Sequence, residues 1–244
     1  MGLIGALQFL TRLPIRTRRA PPMAASVTWF PVVGAMIGAL VGGVAAVLGE
    51  IAAPGVAAAI GLVAGVLVTG AFHEDGLADL ADAVAGGTTT ARRREILKDP
   101  RHGTYGVTAL TGSMLVRWSA LAALVEAGPG SVLLASIAAH TLARGGAVAT
   151  MAWRPPGPGA GLGATWMREV RPWQAILALA LSAVALVPPA GGWTPVVVAV
   201  SAGGALVVIV TARRALGSVG GDALGAIEQV GEACALVALS VTIG

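Results

Sequence analysis

Seven apolar runs of about 15 to 22 residues recur along this 244-residue chain, at 30–48, 54–72, 104–125, 131–151, 174–188, 194–212 and 223–243. A helix needs roughly 20 apolar residues to cross the hydrocarbon core of a bilayer, so runs of this length read as membrane-spanning helices. A mean hydropathy of +0.82 agrees with that reading. The expectation is an all-α, polytopic integral membrane bundle of about seven transmembrane helices, with residues 1–244 forming one membrane-embedded domain. Two runs fit less well. The run at 174–188 is short and stops at Pro188-Pro189, and the run at 223–243 carries Glu228 and Glu232.

Charge placement tests this topology independently of hydropathy. Arg12, Arg16, Arg18 and Arg19 precede the first run, Arg92, Arg93, Arg94, Lys98 and Arg101 lie between the second and third, Arg154, Arg168 and Arg171 between the fourth and fifth, and Arg213 and Arg214 after the sixth. These are fourteen of the sixteen lysines and arginines, and all fall on one side, which the positive-inside rule makes cytoplasmic together with the N-terminus. The opposite loops are short, with Glu50 and Glu126 as their ionisable groups. Residues 1–20 begin with an apolar stretch that no basic residue precedes, which favours an interfacial helix ending near Pro14 over a cleaved signal peptide. Trp29, Trp153, Trp166, Trp173 and Trp193 fall near predicted boundaries and read as interfacial anchors. Cys234, the single cysteine, excludes an intramolecular disulfide framework and a cysteine zinc site. The isoelectric point near 10.5 reflects arginine at lipid headgroups, and no nucleic-acid partner is expected. Residues 152–173 include Arg154-Pro155-Pro156-Gly157-Pro158-Gly159, a composition that predicts a loop, either connector or lid.

Against that background stands His73-Glu74-Asp75-Gly76-Leu77-Ala78-Asp79-Leu80-Ala81-Asp82, with four carboxylates within nine residues of a chain that is only 11% charged. On a helix Asp75, Asp79 and Asp82, at i, i+4 and i+7, project from one face about a turn apart, and unpaired they repel. A bound divalent cation offsets that repulsion; the alternative is an interfacial loop whose acids meet Arg92, Arg93 and Arg94. Residues 73–103 are therefore the expected active-site segment, on the cytoplasmic side. His73 reads equally as a group orienting a carboxylate or as a neutral partner within the bundle. Gly76 allows close approach of a phosphate, or of another helix. Lys98, Arg101 and the Gly103-Thr104-Tyr105-Gly106 helix start offer cations and backbone donors to a diphosphate, or are ordinary cytoplasmic charge and a helix entry. Within the spans, Arg117, His140 and Arg144 face the interior; Arg144 reads as a phosphate ligand or as a partner of Glu228 or Glu232.

The run Phe72–Asp82 in this order, Gly86-Gly87, and Glu95-Ile96-Leu97-Lys98-Asp99-Pro100-Arg101-His102-Gly103-Thr104-Tyr105-Gly106 closely resemble the cobalamin synthase family, whose activity is adenosylcobinamide-GDP ribazoletransferase. Phe9-Leu10-Thr11-Arg12-Leu13-Pro14, Trp29-Phe30-Pro31-Val32-Val33-Gly34 and Gly221-Asp222-Ala223-Leu224-Gly225-Ala226 extend the likeness over nearly the whole chain. This chain departs from the family pattern at Leu80, Ala83, Gly220 and His102, the last standing where an aliphatic residue is usual.

The resemblance implies a Mg²⁺-dependent membrane enzyme of the bacterial cytoplasmic (inner) membrane. It would transfer adenosylcobinamide phosphate from adenosylcobinamide-GDP to the 5′ position of α-ribazole or α-ribazole 5′-phosphate and release GMP. Asp75 and Asp79 are then the expected metal ligands, with Glu74 a further one. Asp82 is a third ligand or the catalytic base, with His73 beside it. Gly76, Lys98, Arg101, Thr104, Tyr105, Gly106, Arg144 and Asp222 are the expected substrate contacts. The expected partners are the two small-molecule substrates and membrane lipid, and self-association to a homo-oligomer is left open. Two rivals from other classes remain. A CDP-alcohol phosphotransferase follows its Asp-Gly step with Ala-Arg, whereas Asp75-Gly76 here precedes Leu77-Ala78-Asp79. A cation transporter places its acids near the midplane with a path to both faces.

Overall fold

The computed structural model describes residues 1–18, 21–153 and 167–243, which form helices and, among the described residues, no strand. Arg19, the Arg154-Pro155-Pro156-Gly157-Pro158-Gly159 segment and Trp166 lie outside them. In chain order the helices are α1 (Gly2–Leu10), α2 (Met23–Val27), α3 (Phe30–Gly49), α4 (Pro54–Thr69), α5 (Phe72–Gly86), α6 (Thr90–Ile96), α7 (Thr104–Glu126), α8 (Pro129–Trp153), α9 (Pro172–Ala190), α10 (Thr194–Leu216) and α11 (Gly221–Ile243). Pro31, Pro54, Pro129, Pro172 and Pro195 open five of them, where the missing N–H costs nothing because no carbonyl awaits it.

Among the described residues, five helical stretches are long and apolar enough to cross a bilayer, and six if the bent pair α4–α5 forms one span. One of the five runs 45 residues from Pro172 to Leu216, about twice the length a crossing needs. Gly191, at φ 49°, and a single 3₁₀ turn over Gly191–Trp193 break it into α9 and α10. The helix α9 continues through Pro188 and Pro189 to Ala190 instead of stopping before them. The prolines fall in its last turn, where each removes one bond to the carbonyl four residues back without interrupting the helix ahead of it.

The helix α8 is central: 72% of its most apolar window is buried, against 22% for α7. It packs on α3, α9 and α11, while α10 lies against α11 on the far side. A stripe of small residues brings α3 close to α8, since a Cβ at Gly34 would stand 2.6 Å from the His140 carbonyl and one at Gly42 2.7 Å from that of Val132. Without a hydrophobic force between helices in lipid, such backbone proximity is how they associate. Large apolar side chains including Val47, Leu67, Val184, Val207 and Val241 point outward, as a lipid-facing surface requires.

The second apolar run ends earlier than its hydropathy predicts. The helix α4 stops at Thr69, Gly70 (φ 68°) and Ala71 (φ 57°) take left-handed conformations, and α5 leaves at 89° to α4. Gly70 serves as the C-cap. Any side chain there would run into Arg12, whose backbone N–H donates to the Val68 carbonyl at 2.7 Å. Hence the acidic segment lies on a helix of its own, beyond a sharp bend, and α11 and α7 are its main packing partners.

Candidate active site

The helix α5 packs against α11, α7 and α6. Gly76 packs so tightly on the start of α11 that a Cβ would lie 2.8 Å from the Asp222 carbonyl and 3.3 Å from the Gly225 Cα, which makes it a packing glycine. Arg93 and Arg94 of α6 donate to the Ala215 and Leu216 carbonyls that end α10, and Gln174 of α9 donates to the Ala24 carbonyl and to Thr28 before α3. These contacts tie the basic helix α6 to the end of α10, and the start of α9 to the residues before α3.

Two of the three aspartates form one cluster. Asp75 and Asp79, one turn apart on α5, face the same side, and His102 approaches both from the loop before α7. Its Nε2 lies 3.5 Å from Asp75 Oδ1 and its Nδ1 3.4 Å from Asp79 Oδ1. One ligand atom from each of the three side chains lies within 4.8 Å of the others. The Asp75 side chain is 64% exposed and that of Asp79 20%, so the group opens to solvent.

Asp82 does not join them. Its Oδ2 accepts the Gly103 N–H at 2.6 Å and its Oδ1 the Gly106 N–H at 2.8 Å, and it is buried. At i+7 the side chain has rotated toward the N-terminus of α7, whose free N–H groups are a ready anion site. The expected third ligand or base is thus an anchor joining α5 to α7, its charge already met. Gly106 contributes its N–H to that anchor and not to a substrate phosphate, whereas Thr104 and Tyr105 are exposed beside it.

Glu74, a metal-ligand expectation, points the other way, into the bundle. Arg117 of α7 donates to Glu74 Oε1 and to Glu232 Oε1 of α11, both at 3.1 Å. Arg144 of α8 pairs with Glu228 Oε1 at 2.6 Å, and His140 Nδ1 lies 2.7 Å from Glu232 Oε2. His73, instead of orienting Asp75, has its Nδ1 3.3 Å from Glu228 Oε2. His140, Glu228 and Glu232 also stand close enough to share an ion, but two guanidiniums already reach their carboxylates, and nothing there calls for one. Of the two readings of Arg144, the structure shows the internal ion pair.

A cavity of about 260 Å³ joins the two groups. Phe9, Phe30 and Phe72 line one wall, Met151 and Leu224 lie deeper, and Asp75, Gly76, Asp222, Arg144 and Glu228 supply its polar surface. Asp222 therefore faces the cavity. Lys98 and Arg101 stay exposed, and Arg101 is engaged with Asp99 at 2.7 Å. Hydrogen bonds from Arg101 hold the exposed Asp99 carboxyl down to about 2, below its ordinary 3.8. Trp29, Trp153, Trp173 and Trp193 are each at least 41% exposed, as membrane-boundary anchors would be.

Sequence reading missed His102 as a member of the acid cluster, and it missed that Arg117 bridges Glu74 to Glu232. One signal was available. The chain has three histidines, and in the structure each lies within 3.5 Å of a carboxylate.

Comparison with known proteins agrees with the sequence motifs. Residues 2–240 match the family model described as cobalamin-5-phosphate synthase. The adenosylcobinamide-GDP ribazoletransferase of Bradyrhizobium diazoefficiens is 41% identical over 93% of this chain and 88% of its own length. That of Stutzerimonas stutzeri is 38% identical over 100% and 99%, and that of Chlorobaculum parvum 34% identical over 95% and 91%. No solved structure matches the chain. Matched along almost its whole length, and carrying Asp75 and Asp79 within the motif that resembles that family most closely, the chain belongs to the cobalamin-5-phosphate synthase family.

Proposed function

We propose that this enzyme is a Mg²⁺-dependent transferase that joins adenosylcobinamide-GDP to α-ribazole or α-ribazole 5′-phosphate. The products would be adenosylcobalamin or its 5′-phosphate, with GMP. The observation that carries this reading is the pair Asp75 and Asp79, open to solvent at Asp75, adjoining a cavity and without a guanidinium or lysine against it among the described residues. The relatives named as ribazoletransferases supply the substrate class. Membership of the family argues against both the CDP-alcohol transferase and the cation transporter.

The donor set fits the metal. Mg²⁺ prefers oxygen ligands, keeps several waters and binds through one or two carboxylates plus substrate phosphates. Asp75 and Asp79 offer such oxygens at an open position, so they would hold the ion; the imidazole of His102 suits Zn²⁺ or Ni²⁺ better and stands at its edge. When bound, the ion neutralises charge on the diphosphate and on the departing phosphate.

In the transfer, a ribose oxygen forms a bond to the phosphorus that carries cobinamide, and the bond from that phosphorus to the bridging oxygen breaks. GMP leaves with the electron pair. The 5′ oxygen expected from the resemblance cannot be the nucleophile for both acceptors, because α-ribazole 5′-phosphate has that position blocked and carries its phosphate into the product. The attacking group is another ribose hydroxyl. Asp222, in the cavity wall and partly exposed, is placed to take its proton, while Asp82 is committed to backbone donors. Exposed Lys98 and the arginines of α6 give the same end of the bundle a positive field for the GDP portion. The arginine-rich end would face the cytoplasm of a bacterial inner membrane, where these soluble substrates are available.

The test is GMP release from adenosylcobinamide-GDP by lipid-reconstituted protein, with and without α-ribazole and Mg²⁺, for wild type and Asp75→Ala. Release that needs both additions and disappears in Asp75→Ala supports the reading. Folded wild-type protein that releases no GMP, or releases it equally without metal, refutes it.

A further inference from the structure

We propose that the cavity between α1, α3, α5, α8 and α11 is the seat of the acceptor's aromatic base, with Phe72 as the ring it stacks against. The proposal rests on the transferase reading and assigns one substrate to one place within it. All three phenylalanines of the chain converge there from three helices, although only 4% of the residues are aromatic. Phe9 stacks on Phe30 with centroids 5.4 Å apart and planes 8° from parallel, and Phe72 meets Phe9 edge to face at 5.1 Å. A bundle built of Ala, Gly, Val and Leu needs no such ring corner to pack in lipid. A flat heteroaromatic ligand is what an aromatic corner recognises.

Size and charge choose which substrate enters. At about 260 Å³ the cavity is at or below the roughly 300–1,000 Å³ of pockets that bury a whole drug-sized molecule, so it admits a bicyclic base and excludes a corrin macrocycle. Asp75, Asp222 and Glu228 line it against a single cation, Arg144, which Glu228 already holds. That balance repels the diphosphate-bearing guanosine and tolerates an uncharged benzimidazole. Asp75 belongs both to the cavity wall and to the acid cluster. A base resting on Phe72 therefore sets its ribose at Asp222 and Gly76, directly beside the carboxylates that would hold the metal ion at the reacting diphosphate.

The test is a split of KM values in reconstituted full-length protein, together with calorimetric binding of α-ribazole alone, for Phe72→Ala, Phe72→Leu and Phe72→Trp. Phe72 is 45% exposed, so these changes leave the core intact. Removing one stacking ring is expected to raise the KM and Kd for α-ribazole by roughly ten- to a hundredfold. Leu, which restores volume without a π face, should behave as Ala, and Trp should restore binding. The KM for adenosylcobinamide-GDP should change by less than about threefold, the scale of a side chain outside its contacts. An unchanged α-ribazole Kd in Phe72→Ala, equal rises in both KM values, or full restoration by Leu (as a lipid tail in the cavity would give) overturns the proposal. Binding of α-ribazole that Phe72→Ala weakens, in a wild-type protein that releases no GMP, would sink the transferase reading and keep the base pocket.

Discussion

Glu74 and Asp75 are neighbours in sequence, yet they belong to opposite regimes. Glu74 turns into the bundle, where Arg117 holds it together with Glu232, and Arg144, His140 and His73 complete a network in which every side chain is buried. Asp75 turns outward to Asp79 and a histidine, and no guanidinium among the described residues pairs with it. Ions away from water must be paired where they stand, and removing one partner of a buried pair is worse than never having had the pair. Carboxylates at an open end can stay unpaired until a cation arrives. The inner network thus sets how α5, α7, α8 and α11 sit together, and the outer pair is left free to bind.

This contrast can be broken from either side. The largest effect is expected inside: Arg117→Leu leaves Glu74 and Glu232 buried without their cation and should cost about 3–5 kcal/mol, read as a lowered unfolding midpoint in detergent. Adding Glu74→Gln to it should recover part of that loss, whereas Asp75→Asn should recover none. Next is Asp75→Ala, which should lower kcat at saturating Mg²⁺ by roughly 10²–10³-fold, the scale of losing one preorganised charge-stabilising group, and leave the midpoint nearly in place. Asp82→Ala strips two N–H groups of α7 of their acceptor and should cost about 1–3 kcal/mol of stability.

A smaller change is expected from His102→Val, which installs the aliphatic side chain more usual in the family. Activity with Mg²⁺ should hold within about threefold, while binding of Ni²⁺ at the site falls more, because imidazole favours that ion. The smallest concerns Asp99. Its folded value is depressed, so whatever stability it contributes is present above 3.8 and lost as the pH falls toward 2. Because the carboxylate is exposed and screened, Asp99→Asn should leave the midpoint at pH 7 unmoved.

The apolar runs made the spans legible, since crossing a bilayer demands length and hydropathy that nothing else requires, and α3, α7, α8 and α11 begin and end within about two residues of expectation. The break between α4 and α5 was hidden because Gly70, Ala71 and Phe72 are as apolar as a span, and the signal was conformational. The spacing of Asp75 and Asp79 was legible as one helical face. Asp82 was not, because its fate depends on where the N-terminus of α7 arrives, a tertiary fact. His102 is likewise brought in from 23 residues beyond Asp79 by that same docking. Glu74 could have been set apart by rotation alone, since i−1 to Asp75 lies about 100° round the helix.

The most direct test is Mn²⁺ binding followed by electron paramagnetic resonance on reconstituted protein, comparing wild type, Asp75→Ala and Glu228→Gln at equal folded concentration. A bound signal in wild type and Glu228→Gln that is lost in Asp75→Ala is the predicted result, and added Mg²⁺ should displace it. Binding that survives Asp75→Ala, or that Glu228→Gln removes, would place the metal in the inner network and contradict the division of labour between the two clusters.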